Sequence, residues 1–155
     1  MQRTRFGDMT CSIARTTDVI GEPWSPLILR DVWVGINRFD LLQSDLGISS
    51  KVLTERLKWL VAQGVIERRA YQERPQRFEY ILTEKGSELC AILMAMTAWG
   101  DKHLAGPEGV PALLKHKSCG HHMHAEVRCS HCGEELRGAD VAPEPGPAML
   151  AELGR

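Results

Sequence analysis

The segment from Arg38 to Leu82 constrains this chain more than any other, because it sets two helical stretches across a tight turn and follows them with a basic hairpin. Phe39, Leu41 and Leu42 mark a short amphipathic stretch, RFDLLQSD, and the turn DLGIS leads into a second, SKVLTERLKWLVAQ. In the second, Leu53, Leu57, Leu60 and Val61 recur at helical spacing and are expected to face the core. Lys51, Thr54, Glu55 and Lys58 then share the opposite face. Ser49 is the expected N-cap, with Ile48 before it and Leu53 after it at hydrophobic-staple spacing. Gly64 stops the helix. Two strands follow, VIERRAY and RFEYIL, joined by the polar turn QERPQ. Phe78, Tyr80 and Leu82 alternate with Arg77, Glu79 and Ile81, which predicts one buried face. Helix, turn, helix and hairpin in this order make a winged helix-turn-helix, whose second helix enters the major groove of duplex DNA.

The flanking sequence supplies the rest of such a domain. A first helix is expected from near Cys11 to Gly21, with Thr10 as its N-cap. Pro23 and Pro26 frame Trp24 at the opening of SPLILRDVWV, where Leu27, Ile28 and Val32 should face the core and Gly35 ends the helix. Asn37 is expected to cap the next one. Thr83 can cap a long final helix from about Glu84 to His103, whose Leu89, Ile92, Leu93, Met96 and Trp99 exceed what a lone capping helix needs. They either complete the core or form a seam with a second copy, and the seam is the favoured reading. The expected fold class is α+β, mainly α: a winged helix-turn-helix with a long C-terminal dimerisation helix and a small zinc-ribbon-like appendage. The expected organisation is a DNA-binding and dimerisation domain over 1–105, a linker at 106–114 containing GPEGVP, a metal module at 115–140 and a Pro-rich tail at 141–155.

A formal charge of −1 does not advertise a nucleic-acid binder. Local charge says more: Arg38 to Tyr80 holds 8 Lys and Arg against 6 Asp and Glu, whereas Asp101 onward holds 6 against 8. No apolar run approaches the ~20 residues of a membrane span, and MQRTRFGDMT lacks the apolar core of a secretory signal. The five cysteines are odd in number and three crowd the last third of the chain. Without an export signal, that favours metal or thiol chemistry in a reducing cytoplasm over a disulfide framework. No nucleophile–base set, phosphate-cradling glycine loop or carboxylate pair stands out, so no enzyme is expected. No internal repeat stands out, and the only compositionally biased stretch is PEPGP.

HKSCGHHMHAEVRCSHCGEEL carries two related half-motifs, His116-x2-Cys119-Gly120 and Cys129-x2-Cys132-Gly133, with nine residues between Cys119 and Cys129. Ligand-type side chains three apart, followed by a glycine that lets amide groups turn toward sulfur, suit a tetrahedral structural zinc. His116 is the expected fourth ligand beside the three cysteines, with His121, His122 and His124 as competitors. So few apolar residues lie here that metal must supply the folding energy, about 10–16 kcal/mol in zinc-finger peptides.

For DNA, Lys51 and Thr54 are the expected groove contacts. Ser49 and Ser50 at the helix start and Arg56 and Lys58 further along are expected to meet phosphates. Glu55 could accept from a cytosine amino group, but an i, i+3 pair with Lys58 is favoured. Arg74 and Arg77 at the hairpin tip are expected contacts; Arg68 and Arg69 either join them or only solubilise the strand.

Residues 11–104 resemble the HxlR family of bacterial winged-helix regulators, distant relatives of the MarR type. The resemblance is carried by CSIARTTDVIGEPW, LILRDVWVGINRFDLL, ISSKVLTERLKWLVAQGVIERR and RFEYILTEKG. It implies a homodimeric transcriptional regulator, more a repressor than an activator, with each recognition helix in a major groove of a pseudo-palindromic operator and each wing on flanking DNA. Glu22 to Trp24 depart from the family's more usual small or basic pair, away from the expected DNA-reading face. Family members also imply a thiol sensor of oxidants or electrophiles at Cys11, which begins the first helix with Arg15 one turn on; the alternative is an inert packed thiol. A small-molecule or oxidant effector would follow from the first reading. Cys90 is expected to be buried filling. Some relatives carry similar C-terminal cysteine-rich extensions. The rival functions are a zinc-containing protein or RNA interaction module and a thiol oxidoreductase using Cys129-x2-Cys132. The latter would want a βαβ setting that nothing around CSHCG supplies.

Overall fold

The computed structural model describes residues 5–154. Helices α1 (Ser12–Ile20), α2 (Trp24–Val34), α3 (Phe39–Leu46) and α4 (Ser50–Ala62) precede an antiparallel hairpin of β1 (Ile66–Glu73) and β2 (Gln76–Leu82). Helix α5 (Glu84–Leu104) follows, then the short strands β3 (Leu114–Lys115) and β4 (His122–Met123), a 3-10 turn at Gly138–Asp140 and α6 (Pro147–Leu153). The order is that of a winged helix-turn-helix. By packing, the chain divides into a unit that ends at Cys90 and one that begins at Ala91, a division that falls inside α5.

The core of the first unit gathers Ile28, Leu29 and Val32 from α2, Leu42 from α3, Leu53, Leu57 and Leu60 from α4, and Val65 and Ile66 where β1 starts. Each such side chain contributes roughly 1.5–3 kcal/mol when fully buried. Three leucines of α4 are thus its main hold on the domain. Val61, expected in that stripe, is exposed, as is Leu27 of α2, while Leu29 takes the buried place beside Ile28. Both misplaced residues sit at the edge of an apolar arc, where one step of about 100° decides between core and water.

The entry to α4 forms as its sequence dictates. Ser49 caps it, Oγ accepting from the Val52 N–H at 3.3 Å, and Ile48 and Leu53 are both buried at staple spacing. Thr83 likewise caps α5 through the Gly86 N–H at 3.1 Å. Its hydroxyl also donates to the Gly64 carbonyl at 2.7 Å, and Lys85 Nζ donates to the Gln63 carbonyl at 2.7 Å, so the start of α5 satisfies the end of α4.

Two other expected caps are replaced. The N-cap of α1 is Cys11 and that of α3 is Arg38, neither with a side-chain bond, in place of Thr10 and Asn37. Asn37 turns to the hairpin instead: its carbonyl accepts from the Tyr80 N–H at 2.7 Å, and Arg38 bridges Glu79. The strands run further than QERPQ suggested, leaving only Arg74 and Pro75 between them, and the register slips between Ala70 and Gln72. β2 shows no clean alternation, since Phe78 to Leu82 are all half-buried.

Candidate nucleic-acid interface

The start of α4 presents its polar face outward. Lys51, Glu55 and Lys58 are exposed, backed by buried Leu53, Leu57 and Leu60. Thr54 is half-buried and its hydroxyl donates to the Ser50 carbonyl at 2.7 Å. Ser49 and Ser50 are exposed at the helix entry, where helix geometry leaves the first N–H groups without intrahelical acceptors. Such an end is suited to a phosphate. Among the described residues Glu55 and Lys58 do not form the expected ion pair, so both stand on the open face.

Arg56 goes elsewhere. Its Nε lies 3.6 Å from Glu22 Oε2, with the two side chains only 19% and 20% exposed. The same Glu22 oxygen accepts from the Trp24 N–H at 3.1 Å, so one carboxylate ties the start of α2 to the flank of α4. The Glu22–Trp24 departure, expected to lie apart from DNA reading, therefore reaches the flank of the reading helix. Arg56, expected to meet a phosphate, is half-buried beside Glu22, and its Nε has no hydrogen-bond partner. Sequence periodicity cannot reveal a pair thirty-odd residues apart.

The hairpin sorts its arginines. Arg69 is held by Glu79 at 2.7 Å, and Arg68 lies over the Phe78 ring at 3.4 Å from its centroid. Arg38 covers Tyr71 at 4.2 Å. Burial pushes the Tyr80 hydroxyl up, with Arg68 pulling it partly back. Arg74 and Arg77, at the tip, are exposed and have no ion-pair partner among the described residues. They are the two wing cations left for an outside anion.

Asp31 of α2 is the one buried acid among the described residues, and nothing local in the sequence marks it. Desolvation pushes its carboxyl up, against Arg30 at 2.6 Å, and its Oδ2 finds no hydrogen-bond donor.

In the second unit, Ile92, Met96 and Trp99 lie exposed along α5, Met96 at 51% and Trp99 at 60%. Cys11 is exposed and Cys90 is buried, where desolvation raises the thiol above its usual range. The Arg15 guanidinium, expected beside Cys11, donates through Nε to the Met9 carbonyl at 2.9 Å.

Of the proposed metal ligands, His116 Nδ1 approaches Cys119 Sγ at 3.3 Å. Hydrogen bonds from the Cys132 and His131 backbone, joined by the Cys132 thiol, hold the Cys129 thiol below its usual range. His124 is drawn off to Glu126 at 3.2 Å, and hydrogen bonding to Arg128 pulls the Glu126 carboxyl down. Among the described residues no three His, Cys, Asp or Glu side chains are gathered around one point as a metal would need. Each pair forms; the two pairs do not meet. Nor is any described helix long and apolar enough to cross a membrane.

Residues 19–107 match the family described as HxlR-like helix-turn-helix. An uncharacterized HTH-type transcriptional regulator of Mycobacterium tuberculosis is 43% identical over 142 residues, covering 92% of this chain and 90% of the relative. Among solved structures, PA1607, described as a candidate transcription factor, shares 33% identity at a TM-score of 0.80, covering 90% of this chain and 98% of that one. The redox regulator HypR in its reduced form shares 32% identity at a TM-score of 0.56, over 59% of this chain and 92% of its own. The first two matches run into the C-terminal third of this chain; the third has room for little more than the winged helix.

Proposed function

This chain belongs to the HxlR-like helix-turn-helix family of transcriptional regulators, and from that premise we propose that it is a homodimeric repressor acting in the cytoplasm on a pseudo-palindromic operator. DNA binding is what the family implies. The observation that carries the residue-level reading is the open start of α4: Lys51 stands exposed beside Ser49, Ser50 and Thr54, over a wall of buried leucines. Lys51 and Thr54 reach base edges, the Thr54 methyl being its available group while the hydroxyl stays bonded within the helix. Ser49, Ser50 and Lys58 contact phosphates, and Arg74 and Arg77 hold flanking backbone. Arg56 serves as a strut to Glu22 rather than as a contact.

Met96 and Trp99, with Ile92, supply the apolar seam between two copies, since exposed side chains of that size at helical spacing favour a covering surface. The test is binding of the purified full chain to duplex DNA from the region upstream of its own gene, with a transcription reporter. Tight, salt-sensitive, sequence-selective binding that lowers transcription supports the proposal; equal affinity for an unrelated duplex overturns it.

A second feature is thiol responsiveness through Cys11, favoured by its exposure and by the likeness to HypR, described as a redox regulator. A mild alkylating probe should label Cys11 well ahead of buried Cys90. Equal protection of both thiols ends this reading. The alternative of a thiol oxidoreductase at Cys129 and Cys132 gains no support, since those residues lie on a turn between antiparallel partners rather than at a helix start beside a parallel sheet.

A further inference from the structure

Between Leu114 and Leu136 the backbone makes one turn twice. In the first, the His116 N–H donates to the His121 carbonyl at 2.9 Å and the Gly120 N–H to the His116 carbonyl at 2.8 Å. In the second, the Cys129 N–H donates to the Glu134 carbonyl at 2.8 Å and the Gly133 N–H to the Cys129 carbonyl at 2.9 Å. Gly120 and Gly133 close the two turns with φ of 73° and 78°, a backbone state that other residues rarely adopt. The flanks match too. Leu114 and Lys115 pair with Met123 and His122 across the first turn. Across the second, Arg128 bridges Glu135 and the Leu136 N–H donates to the Val127 carbonyl at 2.8 Å.

Side-chain types repeat in step with the backbone. An apolar residue, a base, a metal-type donor, two spacers, Cys, Gly, two spacers and an apolar residue describe Leu114 to Met123 and again Val127 to Leu136. The two half-motifs His116–Gly120 and Cys129–Gly133 thus extend into a ten-residue repeat that includes their flanks. Glycine turns alone need no sulfur, yet three of the four donor positions are cysteine and the fourth is histidine. None of residues 115–136 is buried, so the segment has no apolar core to hold the turns. A small unit in that position needs a cross-link.

We infer that His116, Cys119, Cys129 and Cys132 bind one zinc ion tetrahedrally, two donors from each turn, and that the metal draws the two turns together. Thiolate and imidazole donors favour zinc over the hard cations magnesium and calcium. Three thiolates and one neutral imidazole around Zn2+ leave one negative charge; Lys115 of the first turn is the base placed to offset it, since Arg128 of the second is already paired with Glu126. Arg128 Nη1 donates to the Gly133 carbonyl at 2.9 Å. Lys115 occupies the equivalent place beside Gly120. His116 is chosen over His121, His122 and His124 because it alone stands where Cys129 stands in the second turn. Its ring already meets Cys119.

The test uses the reduced full chain, purified without chelator and dialysed against metal-free buffer, with metal measured by mass spectrometry. Cobalt(II) titration of the stripped chain follows as a second readout. About one zinc per chain is expected, with a sulfur-to-cobalt charge-transfer band and tetrahedral visible bands on titration. Cys119→Ser, Cys129→Ser and Cys132→Ser should each lose the metal, and His116→Asn should weaken binding by roughly tenfold or more. His121→Asn should retain it. The cobalt spectrum of the unaltered chain keeps the proposal testable even where a variant fails to fold. No bound zinc and no tetrahedral cobalt spectrum would overturn it, as would retention of metal by Cys129→Ser. Metal lost in His121→Asn but kept in His116→Asn overturns the ligand set.

Discussion

Two glycines on one helix should respond to the same substitution with opposite signs. Gly86 lies in the first turn of α5, where an added Cβ would stand 1.9 Å from the Val65 carbonyl oxygen and 3.3 Å from Leu82 Cδ2. That carbonyl belongs to the joint between α4 and the hairpin, and it accepts from the Thr83 N–H at 3.1 Å, with the Thr83 hydroxyl shared between it and the nearer Gly64 carbonyl. Relieving the overlap means parting α5 from the joint by about 1 Å. Overpacking of that kind costs about 1–3 kcal/mol, and weakening the Thr83 bonds costs ~0.5–1.5 kcal/mol more. The helix-propensity gain of alanine returns at most about 1 kcal/mol. Gly86→Ala should therefore lose ~2 kcal/mol, which lowers the urea midpoint by about 1 M at an m-value near 2 kcal/mol/M. Gly100 is the control, because nothing lies within 4 Å of its added Cβ. Gly100→Ala should gain up to about 1 kcal/mol. Both are measured at one protein concentration, since association would couple to unfolding. If Gly86→Ala is as stable as the unaltered chain, the close approach of α5 to the joint is wrong.

Three other outcomes are expected. Removing Arg74 and Arg77 together should weaken binding to all duplexes alike and flatten the log–log salt slope by about 2, whereas removing Arg68 and Arg69, engaged within the hairpin, should leave the slope unchanged; gel shifts across a salt series decide it. Asp31 has its folded pKa raised by burial, so its contribution to stability is fullest below the ordinary carboxylate range and is lost as pH rises through the folded value. Asp31→Asn should consequently be at least as stable as the parent at neutral pH and lose that advantage on acidification, and urea midpoints showing the reverse trend would count against the buried placement. Met96→Glu or Trp99→Glu should weaken self-association more than tenfold in sedimentation velocity, because each side chain contributes roughly 1.5–3 kcal/mol when buried; an unaltered dimer would exclude α5 as the seam.

Local rules made most of the winged helix legible. Ser49, Ile48 and Leu53 announce the entry to α4, Thr83 announces α5, and the leucine stripe fixes which way Lys51 faces; each depends on residues within a turn or two of one another. What stayed hidden depends on partners far along the chain. The Arg56–Glu22 pair, the burial of Asp31 and the pairing of Asn37 and Arg38 with β2 have no local signature. The split among the wing arginines follows from strand register, which sets Arg69 opposite Glu79 and Arg68 opposite Tyr80, and a slip near Tyr71 cannot be read from alternation. In the C-terminal segment the two His/Cys half-motifs and their glycines are plain in the sequence, but the matching strand pairing on their flanks is not, because it resides in backbone hydrogen bonds.

The central claim is that two copies of the Lys51 face address one side of a duplex, separated by one helical turn. Hydroxyl-radical footprinting of the full chain on its selected operator tests this most directly. Two protected patches on one face of the DNA, about 10 base pairs apart, are expected, with Lys51→Ala losing ~1–3 kcal/mol of preference at one position in each half-site. A single patch, or a Lys51→Ala variant with unaltered sequence preference, would contradict the account.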